Sequence, residues 1–164
     1  VVALALSACA ASGPMFTEVA KPSDETSGIY IYRLSRFYAS GAVPPIYLDG
    51  EELGELKNGG YLFAEVTPGP HVLQIGVEGN TAWWSAPVMQ FEFESVAGEN
   101  RYFEFVQQSD GLTFPDKKRV MISQDVHGDS AVGGIIVSSS VTVRLLEVEE
   151  TAALQDMKET HLSE

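Results

Sequence analysis

One cysteine in 164 residues leaves no partner for an internal disulfide, and three histidines offer little material for a zinc site or a nucleophile–base pair. Basic residues are scarce too: Lys and Arg number 10 against 23 Asp and Glu, a formal charge of −13. The densest basic run, Lys117-Lys118-Arg119, directly follows Asp116 and an apolar-polar loop composition. The clustered positive charge that a phosphate backbone rewards is therefore missing, which excludes nucleic acid as a partner. The same acidic balance repels anionic headgroups, so surface charge alone does not attach the chain to a membrane. No apolar run approaches the roughly 20 residues of a spanning helix. What is present is ordinary for a globular chain, 45% hydrophobic and 20% charged. A single domain with one core and tails is expected, stable without disulfide or metal because a domain of about 150 residues buries roughly 68–70% of its unfolded surface.

The amino terminus is the most informative stretch. Residues 1–8, Val-Val-Ala-Leu-Ala-Leu-Ser-Ala, are apolar or small and are followed by Cys9. They match the end of a signal-peptide apolar region with small residues before a processing point. Leu6-Ser7-Ala8-Cys9 resembles a bacterial lipobox. That resemblance implies that Cys9 becomes the first mature residue and carries the acyl chains, palmitate among them. With no initiator Met and no basic stretch ahead of the run, residues 1–8 are expected to be the C-terminal part of a longer signal peptide. The alternative is that Cys9 is a buried thiol in a short apolar helix. Each buried methylene contributes about 0.8 kcal/mol, so two or more chains hold an acidic protein at a bilayer it would otherwise avoid. Ala10 stands where Asp marks inner-membrane retention in lipoproteins, so the resemblance implies the outer membrane, facing the periplasm. Residues 9–27 hold Gly13, Pro14, Pro22, Ser23 and Asp24 without sustained periodicity, and are expected to form a flexible linker after the lipidated Cys.

From Gly28 the chain alternates short β-type runs with turn chemistry. Gly-Ile-Tyr-Ile-Tyr-Arg-Leu at 28–34 and Ile46-Tyr47-Leu48 are rich in β-branched and aromatic residues. Asp49-Gly50 is a strong hairpin signal. Gly54, Gly59-Gly60 and Pro68-Gly69-Pro70 set off the runs 61–66 and 71–77. In Val88 to Glu94 apolar and polar residues alternate, which puts Phe91 and Phe93 on one face and Glu92 and Glu94 on the other; Phe103 and Phe105 do likewise. Arg119–Ile122 and Ile135–Val148 bring the total to about eight strands, an all-β pattern of sandwich type rather than alternating βα units. The stretches 107–118 and 125–134, rich in Gly and Asp, are expected to be loops. Ala153, Leu154, Met157 and His161 fall at helix-compatible spacing, so 150–164 is expected to be a short helix or tail.

The residues Ile46-Tyr47-Leu48-Asp49-Gly50, Leu53-Gly54, Gly59-Gly60-Tyr61 and Pro68-Gly69-Pro70-His71-Val72-Leu73 carry a resemblance. Over 28–106 the chain resembles bacterial envelope lipoproteins of the domain of unknown function 2846 family, and is similar to PEGA-type surface modules. In these a strand, Asp-Gly, a later Gly and Pro-Gly-His precede the next strand; here Pro70 is inserted between Gly69 and His71. The resemblance implies an antiparallel β-sandwich of prealbumin-like or PEGA-like kind spanning 28–149, with no established enzyme activity. Read without any family, the glycines suit tight turns and the apolar alternation supplies a buried face.

Candidate sites are few. A nucleophilic hydrolase needs a His base beside a Ser or Cys; of His71, His127 and His161, the first falls at a turn-to-strand junction and the last in an apparent tail, and there is no Gly-x-Ser-x-Gly elbow. Asp125, His127 and Asp129 are spaced i, i+2, i+4, so an extended backbone would project all three to one side as a metal facet, or they form a polar turning loop. Glu92, Glu94 and Glu104 either crowd on neighbouring strands, raising a pKa or holding Ca²⁺, or are solvated near Arg101. Trp83-Trp84 point to opposite faces if extended; one packs and the other is a candidate contact for a sugar ring or protein. Ile135–Val143, without charge or Pro, is either a central paired strand or an edge that recruits a partner strand.

The expectation is a non-catalytic module that needs no cofactor or metal. It is held to the membrane by Cys9 and binds or scaffolds an envelope component. A periplasmic hydrolase or metal-dependent enzyme using 125–129, and a glycan or peptidoglycan binder using Trp83 or Trp84, are the alternatives.

Overall fold

A computed structural model describes residues 10–37, 40–79, 88–109, 119–121, 126–132 and 135–164, and within 108–142 it describes backbone pairing. The strands are β1 (Ser27–Tyr32), β2 (Pro45–Leu48), β3 (Glu51–Glu55), β4 (Gly60–Val66), β5 (Gly69–Ile75), β6 (Met89–Ser95), β7 (Asn100–Ser109), β8 (Arg119–Met121), β9 (Val126–Val132), β10 (Ile135–Val148) and β11 (His161–Leu162), with α1 at Glu150–Met157. They form two sheets: a larger one ordered β11-β4-β1-β7-β10-β8, with β9 also on β10, and a smaller one ordered β3-β2-β5-β6. The fold is thus an all-β sandwich with a short C-terminal helix.

Pairing is antiparallel except between β1 and β7 and between β11 and β4. A parallel pair needs a crossover of a dozen or more residues. Residues 33–99 supply it for β1 and β7 by building the whole smaller sheet on the way. Asp49 and Gly50 both take positive φ, 53° and 85°, the type I′ geometry whose twist suits a two-residue hairpin, and Leu48 pairs with Glu51 across it. The short run Glu51–Glu55 is an edge strand with no apolar alternation to announce it.

Between the sheets lies one core: Ile29, Ile31, Phe103, Phe105, Val143 and Leu145 of the larger sheet face Ile46, Leu73, Ile75, Phe91 and Phe93 of the smaller. β6 reads buried-exposed along its whole length, as its period-two sequence demands. A second core covers the other face of the larger sheet. There Tyr30, Tyr32, Tyr102, Val106, Leu146 and Val148 meet Phe16, Ala153 and Met157. The expectation of one core is therefore corrected. β1 is buried at every position because Ile29 and Ile31 serve one layer while Tyr30 and Tyr32 serve the other.

Residues 10–26, whose breakers suggest a free tether, lie along this second layer. Ala10 bridges Asn58, Met15 bridges His161, the Phe16 amide donates to Thr160, and the Ala20 amide donates to the Tyr30 hydroxyl at 2.8 Å. The Phe16 ring packs edge-on against Tyr30 and Tyr61, at centroid distances of 6.2 and 5.5 Å. One buried aromatic holds a segment that propensity leaves loose. Burying a Phe side chain stabilises by about 1.5–3 kcal/mol. Phe16→Ser is therefore expected to raise the detached population of this segment about ten- to hundredfold, seen as faster amide exchange at 16–20 and glutamyl-endoprotease cleavage after Glu18. Unchanged exchange there would show that the ring does not hold it.

Two further expectations are corrected. Val126–Val132 is a strand rather than a loop, because Ile135–Val143 offers it a backbone partner. His161 is not in a frayed tail: its strand pairs with Gly60 and Tyr61, and its Nδ1–H donates to the Gly13 carbonyl at 3.0 Å.

The strand directions give the sandwich two ends. One carries Ala10, the chain after Tyr32, the Asn58–Gly60 turn and His161. The other carries Asp49-Gly50, Thr67-Pro68, the 96–99 turn and the start of α1.

Candidate functional site

Asp49 closes the β2–β3 hairpin and His71 sits two residues into β5, at the end of the sandwich away from Ala10. The fold brings them together: His71 Nδ1–H donates to Asp49 Oδ2 at 2.6 Å and Nε2–H donates to the Thr67 carbonyl at 2.7 Å. Asp49 is held on its other side by the Val72 amide, which donates to Oδ1 at 2.9 Å, and its own amide donates to the Val72 carbonyl. Ser95 Oγ–H donates to the same Thr67 carbonyl at 3.0 Å.

A carbonyl and a carboxylate both only accept, so making both bonds requires both ring nitrogens to carry protons. His71 is therefore an imidazolium here. Burial opposes that charge, but the Asp49 hydrogen bond, the Thr67 carbonyl and the carboxylates of Asp49 and Glu94 outweigh it and raise the His71 pKa above 6.5. Burial would likewise raise Asp49, yet the Val72 amide and His71 lower it below 3.8. A general base needs one nitrogen facing a nucleophile; this His has none to offer. The pair is a clasp tying a hairpin, a sheet-crossing turn and a strand, which is the physical reason for Asp-Gly and Pro-Gly-Pro-His in one chain.

The same end has a polar cleft of about 500 Å³ lined by Val19, Lys21, Pro22, Gly98, Glu99, Asn100 and Glu150. Below it, Tyr102 donates to Glu150 Oε1 at 3.1 Å and stacks on Tyr30 at 5.3 Å. Burial first, then the Glu150 carboxylate, raises the Tyr102 pKa and keeps the phenol a neutral donor. The ionisable lining of the cleft is Lys21, Glu99 and Glu150, with no Ser, Cys or His among the lining residues.

Of the two readings of Glu92, Glu94 and Glu104, crowding is not seen, and the solvated one holds for Glu92 and Glu94 only. Glu92 and Glu94 are exposed on β6 of the smaller sheet, whereas Glu104, 1% exposed, lies on β7 of the larger sheet. Arg101 pairs with Glu147, donates to the Glu94 carbonyl, and sets its guanidinium about 6 Å from the Phe93 and Phe103 rings, bridging the sheets. His71 and His161 stand at opposite ends. Among the described residues no group of three His, Cys, Asp or Glu is placed to hold a metal ion. Cys9, Trp83, Trp84 and Asp125 lie outside the described residues, as do the side chains of His127 and Asp129. β10 is paired with β7 over Val141–Glu147, and on its other flank with β9 at Val141–Val143 and with β8 at Leu146–Val148. At Val141–Val143 and Leu146–Glu147 it is therefore a central strand.

Asp49 and His71 are each legible in the sequence as turn residues, but the sequence carries no signal that they pair. Their 22-residue separation concealed that one completes the other.

Architecture and clasp together define the class: an all-β, two-sheet sandwich domain whose turns are tied by a charged Asp–His pair. The model of the family described as Protein of unknown function (DUF2846) matches residues 23–114, more than half of the chain, and the chain belongs to that family. The matched span contains β1 to β7 and both members of the clasp. No curated protein and no solved structure matches the chain.

Proposed function

We propose that this protein is a lipid-anchored, non-catalytic β-sandwich module of the bacterial envelope, acylated at Cys9, facing the periplasm from the outer membrane, and binding or scaffolding another envelope component. The observation that carries it is Leu6-Ser7-Ala8-Cys9 standing in the sequence immediately ahead of Ala10, the first described residue, which bridges Asn58. A non-catalytic role is supported by His71, whose two nitrogens are both committed.

Growth of producing cells with a radiolabelled fatty acid tests it. The wild-type protein is expected to be labelled and to sediment with outer membranes. Cys9→Ser is expected to lose essentially all label and move to the soluble fraction, with the sandwich still folded. An unlabelled wild-type protein would end the reading.

A further inference from the structure

Resting on the lipid-anchored reading, we infer that the end of the sandwich carrying Ala10, Arg36 and Phe37 is a membrane-contact surface, on which Phe37 inserts at the headgroup–acyl boundary of a bilayer and fixes how the domain stands. Among the described residues three large apolar side chains are exposed: Met15 at 53%, Phe37 at 100% and Val96 at 48%. Met15 and Phe37 lie at the Ala10 end, since Met15 bridges His161, His161 pairs with Gly60, and the Arg36 amide donates to Asn58 Oδ1 at 3.0 Å. Val96 lies at the far end, where the neighbouring Gly98 amide donates to Thr26.

The Phe37 ring is not on slack chain. Arg33, 3% exposed, donates to the Ala42 carbonyl and sets its guanidinium 5.7 Å from the Phe105 ring. With Arg36 pinned to Asn58, the residues leading to Phe37 are held while the ring itself points to solvent. A single exposed phenyl ring is ordinary on a protein surface; what singles this one out is that it stands at the end where Cys9 precedes Ala10, where a bilayer would gain the burial of the whole ring.

The anchor point coincides. Asn58 is the residue bridged by Ala10, so Cys9 is one residue removed from the turn that also fixes Arg36. Charge is distributed to match. Asp24, Glu25, Asp49, Glu51, Glu99 and Glu149 are exposed at the far end, where an anionic surface would repel them, and Arg36 is exposed at the near end. The near end also holds exposed Glu55, Glu78, Glu159 and Glu164 together with Lys158, and Lys57 is bonded to the Glu164 carbonyl, so this end is less acidic than the far end rather than basic. Charge therefore sets polarity, while the apolar ring supplies the hold.

The test couples the 164-residue chain, whose one thiol is Cys9, to a maleimide-bearing lipid in phosphatidylethanolamine vesicles containing phosphatidylglycerol. Photoreactive benzoylphenylalanine is placed at position 37 or, separately, at position 96. Lipid adducts are expected at 37 in about ten- to hundredfold excess over 96, the bias that burying one Phe ring supplies. Amide exchange at 35–37 and 40–42 is expected to slow on vesicles and to recover in Phe37→Asp, whose fully exposed site carries no folding role. Equal yields at the two positions, adducts to a second copy of the chain instead of lipid, or slowed exchange that survives Phe37→Asp would each overturn the inference. Because the maleimide supplies the tether, absence of fatty acid on Cys9 in cells would remove the anchoring reading and leave this result standing.

Discussion

Phe103→Ala is expected to cost about 3–5 kcal/mol, the usual range for truncating a fully buried Phe. Phe103 is 0% exposed in β7, a central strand paired with Ile31 of β1 on one side and Glu147 of β10 on the other. Its ring meets that of Phe93 across the sandwich at 5.1 Å and 59°, and Arg101 lies against both. Removing the ring leaves a cavity walled by two sheets, neither of which can collapse without breaking its own ladder, so the upper part of the range applies. Against a total stability of about 5–15 kcal/mol, that is a large share. With a urea dependence of about 1–3 kcal/mol per molar, the midpoint should fall by roughly 2 M. Phe37→Ala, made at a fully exposed ring, should move it by less than about 0.5 kcal/mol. Comparable losses from the two would mean that the sheets do not pack through Phe103.

How far this architecture is legible depends on how many faces of a strand are buried. β6 spells its one-sided burial as Phe91 and Phe93 against Glu92 and Glu94, and period two is enough to orient it. β1 does not: Ile29-Tyr30-Ile31-Tyr32 is apolar throughout, which is how a strand between two layers must look, yet the run says nothing of what forms the second layer. That layer comes from Phe16 and from Ala153 and Met157, more than a hundred residues apart in the chain. Local chemistry marks 10–26 as breaker-rich, and one ring with a few backbone bonds overrides it. β9 is hidden for a related reason. Val126-His127-Gly128-Asp129 reads as a turn until β10 is available as a template. Pairing is a property of two segments, and propensity sees one.

The clasp was half legible. Asp49-Gly50 announces a hairpin and Gly69-Pro70-His71 a strand entry, each sufficient as local turn chemistry. What no local signal carries is that the hairpin carboxylate and the entering imidazole arrive at the same point. That coincidence follows from β2 and β5 being neighbours, with Leu48 opposite Leu73. It removes His71 from the roster of bases and gives it a structural use.

His71→Gln is expected to destabilise by about 2 kcal/mol near pH 5, and the loss should shrink on both sides of an acidic window. Hydrogen bonds to charged groups contribute about 1.5–3 kcal/mol; the middle of that range is appropriate because Asp49 is 46% exposed and its attraction is partly screened. Gln offers one polar end and no charge, so it cannot serve Asp49 and the Thr67 carbonyl together. The sign follows from linkage. The folded His71 pKa is raised above 6.5, so its stabilisation is complete below 6.5 and disappears as pH rises through the raised value. The folded Asp49 pKa is lowered below 3.8, so its part is complete above 3.8 and disappears as pH falls through the lowered value. Between those limits both charges are present and the clasp is at full strength. Urea unfolding of wild type and variant from about pH 3 to about pH 9 should therefore give a difference with its plateau in the mildly acidic range. Alkaline conditions should bring the two proteins together, because wild-type His71 then loses the second proton that its two acceptors require. A difference that stays constant to pH 9, or widens there, would mean that the imidazole is neutral and that one of its two short contacts is not a hydrogen bond.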